Sequence, residues 1–233
     1  MTPCFSTLAI HAPYRERARR LIAQAPTVPW VVLTDEPEDF AELPVRAMRH
    51  APTGPMAIDY LERLAPTGQN RGAAAYHDKR FAILAALEEA ETAIYLDADS
   101  KLGPLPPFER FPPGLAVYPL VERSIAEHLE TCGSWRLMHF EALSRHLTGG
   151  TAILEAARWC HETPIAVTRD DGRESLFFDA WGRAAEFLQN REVYSGEGGV
   201  IGLAAECAGW RVDFTAILDL AAAIEHEGGG PKA

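Results

Sequence analysis

Two aspartates separated by a single residue, Asp97 and Asp99, close the apolar run Ile94-Tyr95-Leu96. Carboxylates this close repel each other unless a cation sits between or beside them, and hard oxygen donors suit Mg²⁺ or Mn²⁺. An ion held there can bridge a diphosphate and stabilise the charge that grows on it as a bond breaks. The bland alternative is that one Asp caps the next turn while the other is merely solvated. The apolar strand leading straight into the pair favours the ion. Extended backbone points residues i and i+2 to one side, and ligands of open α/β sheets bind in the crevice at the carboxyl ends of strands.

Other residues offer partners for that chemistry. Glu197 sits in Ser195-Gly196-Glu197-Gly198-Gly199. It reads either as an acid favoured by a helix start or as a site acid whose flanking glycines let backbone approach a ligand. His226, in the Gly-rich tail, is either a solvated residue or the imidazole that completes a cation site, and Lys232 would then meet a phosphate. Lys79 can pair with an acid on its own helix or serve the site. Tyr14 can be an edge aromatic of the core, and Gly149-Gly150 a bulge. Asp179 and Trp181 are candidate acceptor contacts, and the remaining histidines show no ligand spacing.

The elements that must position these residues follow from the apolar pattern. Strands are predicted at Phe5 to Ile10, Trp30 to Leu33, Val45 to Met48, Thr92 to Leu96, Leu115 to Leu120 and Thr148 to Leu154. Helices are predicted after Pro13, with Ala18, Leu21, Ile22 and Ala25 inward, and over Tyr76 to Ala90, with Phe81, Leu84 and Leu87 along one side. Further helices fall near Trp135 to His146, Phe178 to Leu188 and Val200 to Gly209, and Pro52 to Arg71 reads as loop. This alternation predicts an α/β fold with a mainly parallel sheet flanked by helices. It forms a single domain over residues 1–233, with a nucleotide-binding half to about 120 and an acceptor-side half beyond.

Composition narrows the function. With 22 Lys and Arg against 33 Asp and Glu, the net charge of −11 argues against a nucleic-acid surface. An acidic chain that binds a diphosphate needs a cation or a few placed lysines to offset repulsion. Four scattered cysteines without a CxxC pair read as buried free thiols of a reducing compartment. No segment nears the roughly 20 apolar residues of a membrane span, and no leader is legible, so the cytoplasm is the expected location.

The stretch from Asp78-Lys79-Arg80-Phe81 to Tyr95-Leu96-Asp97-Ala98-Asp99-Ser100 resembles the core signature of the glycogenin and lipopolysaccharide-galactosyltransferase family. These are retaining, metal-dependent glycosyltransferases of the Rossmann-like GT-A fold, and blood-group-type galactosyltransferases are the second choice. The resemblance implies that Asp97 and Asp99 hold ribose and Mn²⁺ or Mg²⁺, and that Lys79 lies beside the diphosphate or sugar of a UDP-sugar donor. Tyr14, in Thr7 to Tyr14, matches a tyrosine that stacks on the nucleobase. Thr148-Gly149-Gly150 with Trp159 is similar to a strand lying close to the donor sugar. Gly196-Glu197-Gly198 resembles a segment whose acid faces the reacting sugar, where it would stabilise positive charge. His226, Gly229 and Lys232 reproduce an HxxGxxK spacing that implies a metal histidine and a phosphate lysine. Thr148 and Gly198 depart from the family's Asn and Gln.

Transfer of a sugar from a nucleotide sugar to an acceptor hydroxyl is therefore the first expectation. A haloacid-dehalogenase-like phosphatase with Asp97 as nucleophile is the second. That pattern sits on a first strand with Thr or Val two residues beyond the second Asp, where this chain has Lys101. A non-catalytic nucleotide-binding domain is the third.

Overall fold

The computed structural model describes residues 2–53, 74–108, 110–118, 122–191, 193 and 196–226. Most of the expected loop Pro52 to Arg71 lies outside them, as does Lys232. A six-stranded sheet forms the centre, in the order β3-β2-β1-β4-β7-β6. Its strands are β1 (Cys4–Ala9), β2 (Trp30–Thr34), β3 (Arg46–Arg49), β4 (Thr92–Tyr95), β6 (Gly114–Val117) and β7 (Ile165–Thr168), while β5 (Ser100–Leu102) pairs separately with β8 (Ile224–His226). β1 pairs in parallel with both β2 and β4, and β7 runs antiparallel between β4 and β6. The sheet is thus mixed and mainly parallel, as the alternation predicts.

Apolar residues line both faces, which is why the central strands read as continuous apolar runs. Phe5, Ala9, Val32, Ile94 and Leu96 pack on one side with Ala18, Leu21 and Ile22 of α1 (Ala12–Ala23). Cys4, Leu8, Val31 and Tyr95 pack on the other. There they meet α2 (Lys79–Glu89), α5 (Arg173–Gln189) and α6 (Glu197–Cys207). Each fully buried Leu or Ile stabilises the fold by about 1.5–3 kcal/mol relative to exposure. α3 (Ile125–Cys132), α4 (Leu137–Thr148) and the short α7 (Leu218–Ala222) complete the described helices.

Several expectations are corrected. The 148–154 strand does not form: Gly149 caps α4 in the left-handed conformation, φ 76°, and its N–H donates to the Arg145 carbonyl. Only glycine takes that φ without strain. α2 buries Ala82, Ile83, Ala86 and Leu87 and leaves Leu84 36% exposed. Tyr76 belongs to a 3-10 turn, Ala74–Asp78, that precedes the helix. Of the four free cysteines only Cys4 and Cys160 are buried, whereas Cys132 is exposed. Among the described residues no helix is long and apolar enough to cross a membrane.

Candidate functional site

The chain leaves β1 through α1 to β2 on one side, then returns to lay β4 on the other. The carboxyl ends of β1 and β4 therefore flank a topological switch point, where open α/β sheets bind ligands. Asp97 sits two residues beyond the end of β4. The strand direction continues through Leu96, whose N–H donates to the Ser6 carbonyl at 2.9 Å. The chain then turns, with the Ser100 N–H donating to the Asp97 carbonyl at 2.9 Å. Asp97 and Asp99 thus occupy a turn rather than the extended backbone the alternation argument assumed.

Three elements bring charges together there. Lys79 begins α2, Asp97 ends the β4 segment and Glu197 begins α6. Lys79 Nζ lies 3.4 Å from Asp97 Oδ1 and 3.1 Å from Glu197 Oε1, so its partners stand far away in sequence and not on its own helix. It also donates to the Glu162 carbonyl at 3.4 Å and rests 5.1 Å from the Tyr95 ring centroid. Glu197 Oε1 is sealed from solvent and receives no aligned hydrogen bond, so its contact with Lys79 is one of charge and not of direction. The Asp97 N–H donates to Thr163 Oγ1 at 3.3 Å, on the segment leading into β7.

Burial orders the cluster from back to front. The side chains of Lys79 and Glu197 are 4% and 8% exposed, and that of Asp97 is 33% exposed. Burial by itself lowers the Lys79 ammonium, but Asp97 and Glu197 hold it well above the ordinary lysine value. Burial pushes the Glu197 carboxyl up to about 8 against the pull of Lys79. Burial, reinforced by Asp97, likewise raises the Tyr95 phenol. Asp97 is consequently the outermost carboxylate of the cluster, with the ammonium behind it.

The other sequence-selected residues fall as follows. Tyr14 lies half-buried in the first turn of α1, beside the carboxyl end of β1. That end is held by His11, φ 70°, whose N–H donates to both oxygens of Asp35 at 3.2 and 3.1 Å. Against its burial, Arg15 and the His11 amide keep Asp35 below the usual carboxylate range. The β5–β8 ladder sets the backbone of His226 opposite Ser100, one residue past Asp99. Gly149 and Gly150 are exposed, and a Cβ on either would meet nothing within 4 Å. Gly198 approaches the chain's own backbone instead of open space, since its Cβ would stand 2.1 Å from the Cys160 carbonyl oxygen. Trp181 is a core residue donating to His77 Nδ1 at 3.1 Å, and Asp179 pairs with Arg183 at 3.8 Å. Among the described residues no three His, Cys, Asp or Glu side chains gather as a ready-made metal cluster.

No family model and no curated protein sequence matches this chain. Solved glycosyltransferase structures are similar to it at low identity. Mouse xyloside xylosyltransferase 1, apo form, is 10% identical with a TM-score of 0.44, the match covering 100% of both chains. The PaToxG glycosyltransferase is 14% identical with a TM-score of 0.43, over 88% of this chain and 69% of that one. Core-mannan synthase A of Aspergillus fumigatus, in an Mn/GDP form, is 10% identical with a TM-score of 0.43, over 88% and 70%. Superpositions this loose assign no role to any residue.

Sequence reasoning missed Thr163, Glu162 and Tyr95. Thr163 and Glu162 reach the cluster through a segment without a motif, more than 60 residues from their partners. Tyr95 was legible as a strand residue, and only the packing of α2 above it reveals its contact with the Lys79 ammonium.

Proposed function

We propose that this chain is a glycosyltransferase that takes its sugar from a nucleoside diphosphate sugar, most simply a UDP-sugar, with the help of Mn²⁺ or Mg²⁺. The observation that carries this reading is the buried Lys79 braced by Asp97 and Glu197 at the switch point, with Asp97 the most exposed of the three side chains. Asp97 and Asp99 would hold the ion, and the ladder that lays His226 opposite Ser100 supports an imidazole as third donor. This set of oxygens and one nitrogen suits those metals. A bound ion supplies Lewis-acid stabilisation of the departing diphosphate.

The chain's own residues have separable tasks in this reading. Lys79 fixes the orientation of Asp97 and keeps the Asp97 and Glu197 carboxyls from repelling each other. The Thr163 hydroxyl, accepting from the Asp97 amide, fixes the turn that aims both aspartates. Glu197, set behind the lysine, holds the ammonium in place. The family resemblance assigns Tyr14 the nucleobase and Lys232 the phosphate, and the place of Tyr14 beside the carboxyl end of β1 supports the first. The retaining course, in which the acceptor hydroxyl arrives on the face the diphosphate leaves, likewise rests on that resemblance.

Calorimetry with UDP, UDP-glucose, UDP-galactose and GDP-mannose, each with and without Mn²⁺, tests the proposal. One nucleotide class is expected to bind with Mn²⁺ and to lose at least a hundred-fold in affinity, about 2.7 kcal/mol, without it. Its sugar nucleotide should also hydrolyse slowly in the absence of acceptor. No nucleotide binding in Mn²⁺, or a fluoroberyllate adduct on Asp97, would overturn it in favour of phosphate-ester chemistry or none.

A further inference from the structure

The 3-10 turn Ser134–Arg136, just ahead of α4, places a guanidinium against the first turn of α6. Arg136 Nη1 stands 3.3 Å from the position a Cβ on Gly196 would take, and the Trp159 ring stands 2.7 Å from that of Gly198. The Arg136 guanidinium lies 5.9 Å from the ring centroids of both Trp135 and Trp159. His128 stacks on Trp159 at 3.6 Å, the planes 9° apart. These groups border the Lys79 cluster. Glu197 opens the helix they lean on, and Glu162, whose carbonyl receives Lys79, is the main opposing charge felt by Arg136.

Arg136 is poorly satisfied for a half-buried cation. Among the described residues its hydrogen bonding is a single contact, Nη2 to the Cys132 carbonyl at 3.2 Å. Nε is sealed from solvent, and among the described residues it has no acceptor and no carboxylate forms an ion pair with the side chain. Buried charges are ordinarily paired. Lys79 has Asp97 and Glu197, and the buried Asp78 has His50, Thr53 and Arg80. Among the described residues Arg136 therefore stands out as a half-buried cation that no carboxylate pairs with. Beside it Trp135 is 41% exposed, a flat apolar plate open to a ligand. Burial, with Arg136 and Arg123, pushes His128 down to about 4, so the imidazole under Trp159 is a neutral plate and brings no second charge.

We infer that Arg136, Trp135 and Trp159 form an acceptor subsite for a sugar ring that carries an acidic group. The carboxylate or phosphate meets the guanidinium, whose planar fork matches two oxygens, and the apolar face of the ring lies on indole. This rests on the glycosyl-transfer reading, and it adds the acceptor's chemical class to it.

The test uses the full chain with three probes, glucose, glucuronate and inorganic phosphate, followed by ligand-observed NMR and Trp fluorescence. UDP binding in Mn²⁺ is measured on the same samples, so a failure of the donor reading shows separately. Glucuronate is expected to bind at least about ten-fold more tightly than glucose, with inorganic phosphate weaker than glucuronate because it offers nothing to the indoles. Arg136→Gln should erase the preference for glucuronate while leaving UDP binding and the weak glucose signal unchanged. A purely structural arginine would lower all three signals together. Should Arg136→Gln not fold, Arg136→Lys is read the same way and should weaken glucuronate alone. Equal binding of glucose and glucuronate, tighter binding of phosphate than of glucuronate, or a preference that survives substitution of Arg136 would each overturn the inference.

Discussion

Lys79→Met is expected to lower stability by about 3–5 kcal/mol at alkaline pH, because it leaves the buried Glu197 carboxylate without its counter-charge. The loss should depend on pH in a defined direction. The folded Glu197 carboxyl sits near 8 instead of its ordinary 4.5. A raised folded value contributes stability that is fully present below the unfolded value and is lost as pH rises through the folded one. In the parent, stability from this group therefore falls between about 4.5 and 8. Removing Lys79 pushes Glu197 further up, so at acid pH the carboxyl stays protonated and the variant is nearly as stable as the parent. At alkaline pH the bare carboxylate is exposed to its full cost. Urea denaturation across this range measures the divergence. The double variant Lys79→Met, Glu197→Gln should recover most of the alkaline loss, because it removes both members of the buried pair. A pH-independent loss, or a double variant no better than the single, would mean that the two side chains are not coupled as the geometry states.

Gly202→Ala is the second large effect. Gly202 lies in α6, and a Cβ there would stand 1.8 Å from the Arg158 carbonyl oxygen and 2.9 Å from its carbon. No side-chain rotation relieves a clash with backbone, so the helix must lift from the 158–160 segment. Helix propensity would favour alanine over glycine by about 1 kcal/mol. The expected net result is nevertheless a loss of about 3 kcal/mol or more, read by thermal and urea unfolding. The same displacement moves Glu197 at the helix start, so nucleotide affinity should fall in any fraction that remains folded. Gly149→Ala is a useful contrast, since nothing lies within 4 Å of its Cβ and only its φ of 76° opposes the change.

How far the sequence could be read depended on whether the signal was local. β1, β2 and β4 are apolar runs buried on both sides, and they were legible at nearly their true bounds. The Asp97-Ala98-Asp99 step could be singled out as a candidate site because it follows such a strand. α3 carried a readable start that went unrecognised: Ser124 and Glu127 form a reciprocal capping box, each side chain bonded to the other's backbone amide. β7 is only four residues long and gained its place by pairing with β4 and β6, a tertiary fact. Thr148 to Leu154 has strand-like composition, but the left-handed Gly149 ends a helix there and diverts the chain. Glu197 was selected for its glycines, which serve helix packing against residues 158–160 and Phe140 rather than ligand approach. The contact that matters, with Lys79, joins residues no local pattern connects. Arg136 had no sequence signal, because an arginine lacking an acid is visible only once its neighbours are known.

The most direct test of the proposed cation site at the tip of β4 is an electron paramagnetic resonance titration of Mn²⁺ into the protein with UDP present. One tightly held ion per chain is expected in the parent, and its signal should vanish in Asp99→Asn, which keeps the parent's melting profile, and in Asp97→Asn, which melts lower because the buried Lys79 loses a partner. A parent that holds no ion, or an Asp99→Asn chain that takes up Mn²⁺ and UDP as the parent does, would contradict the assignment.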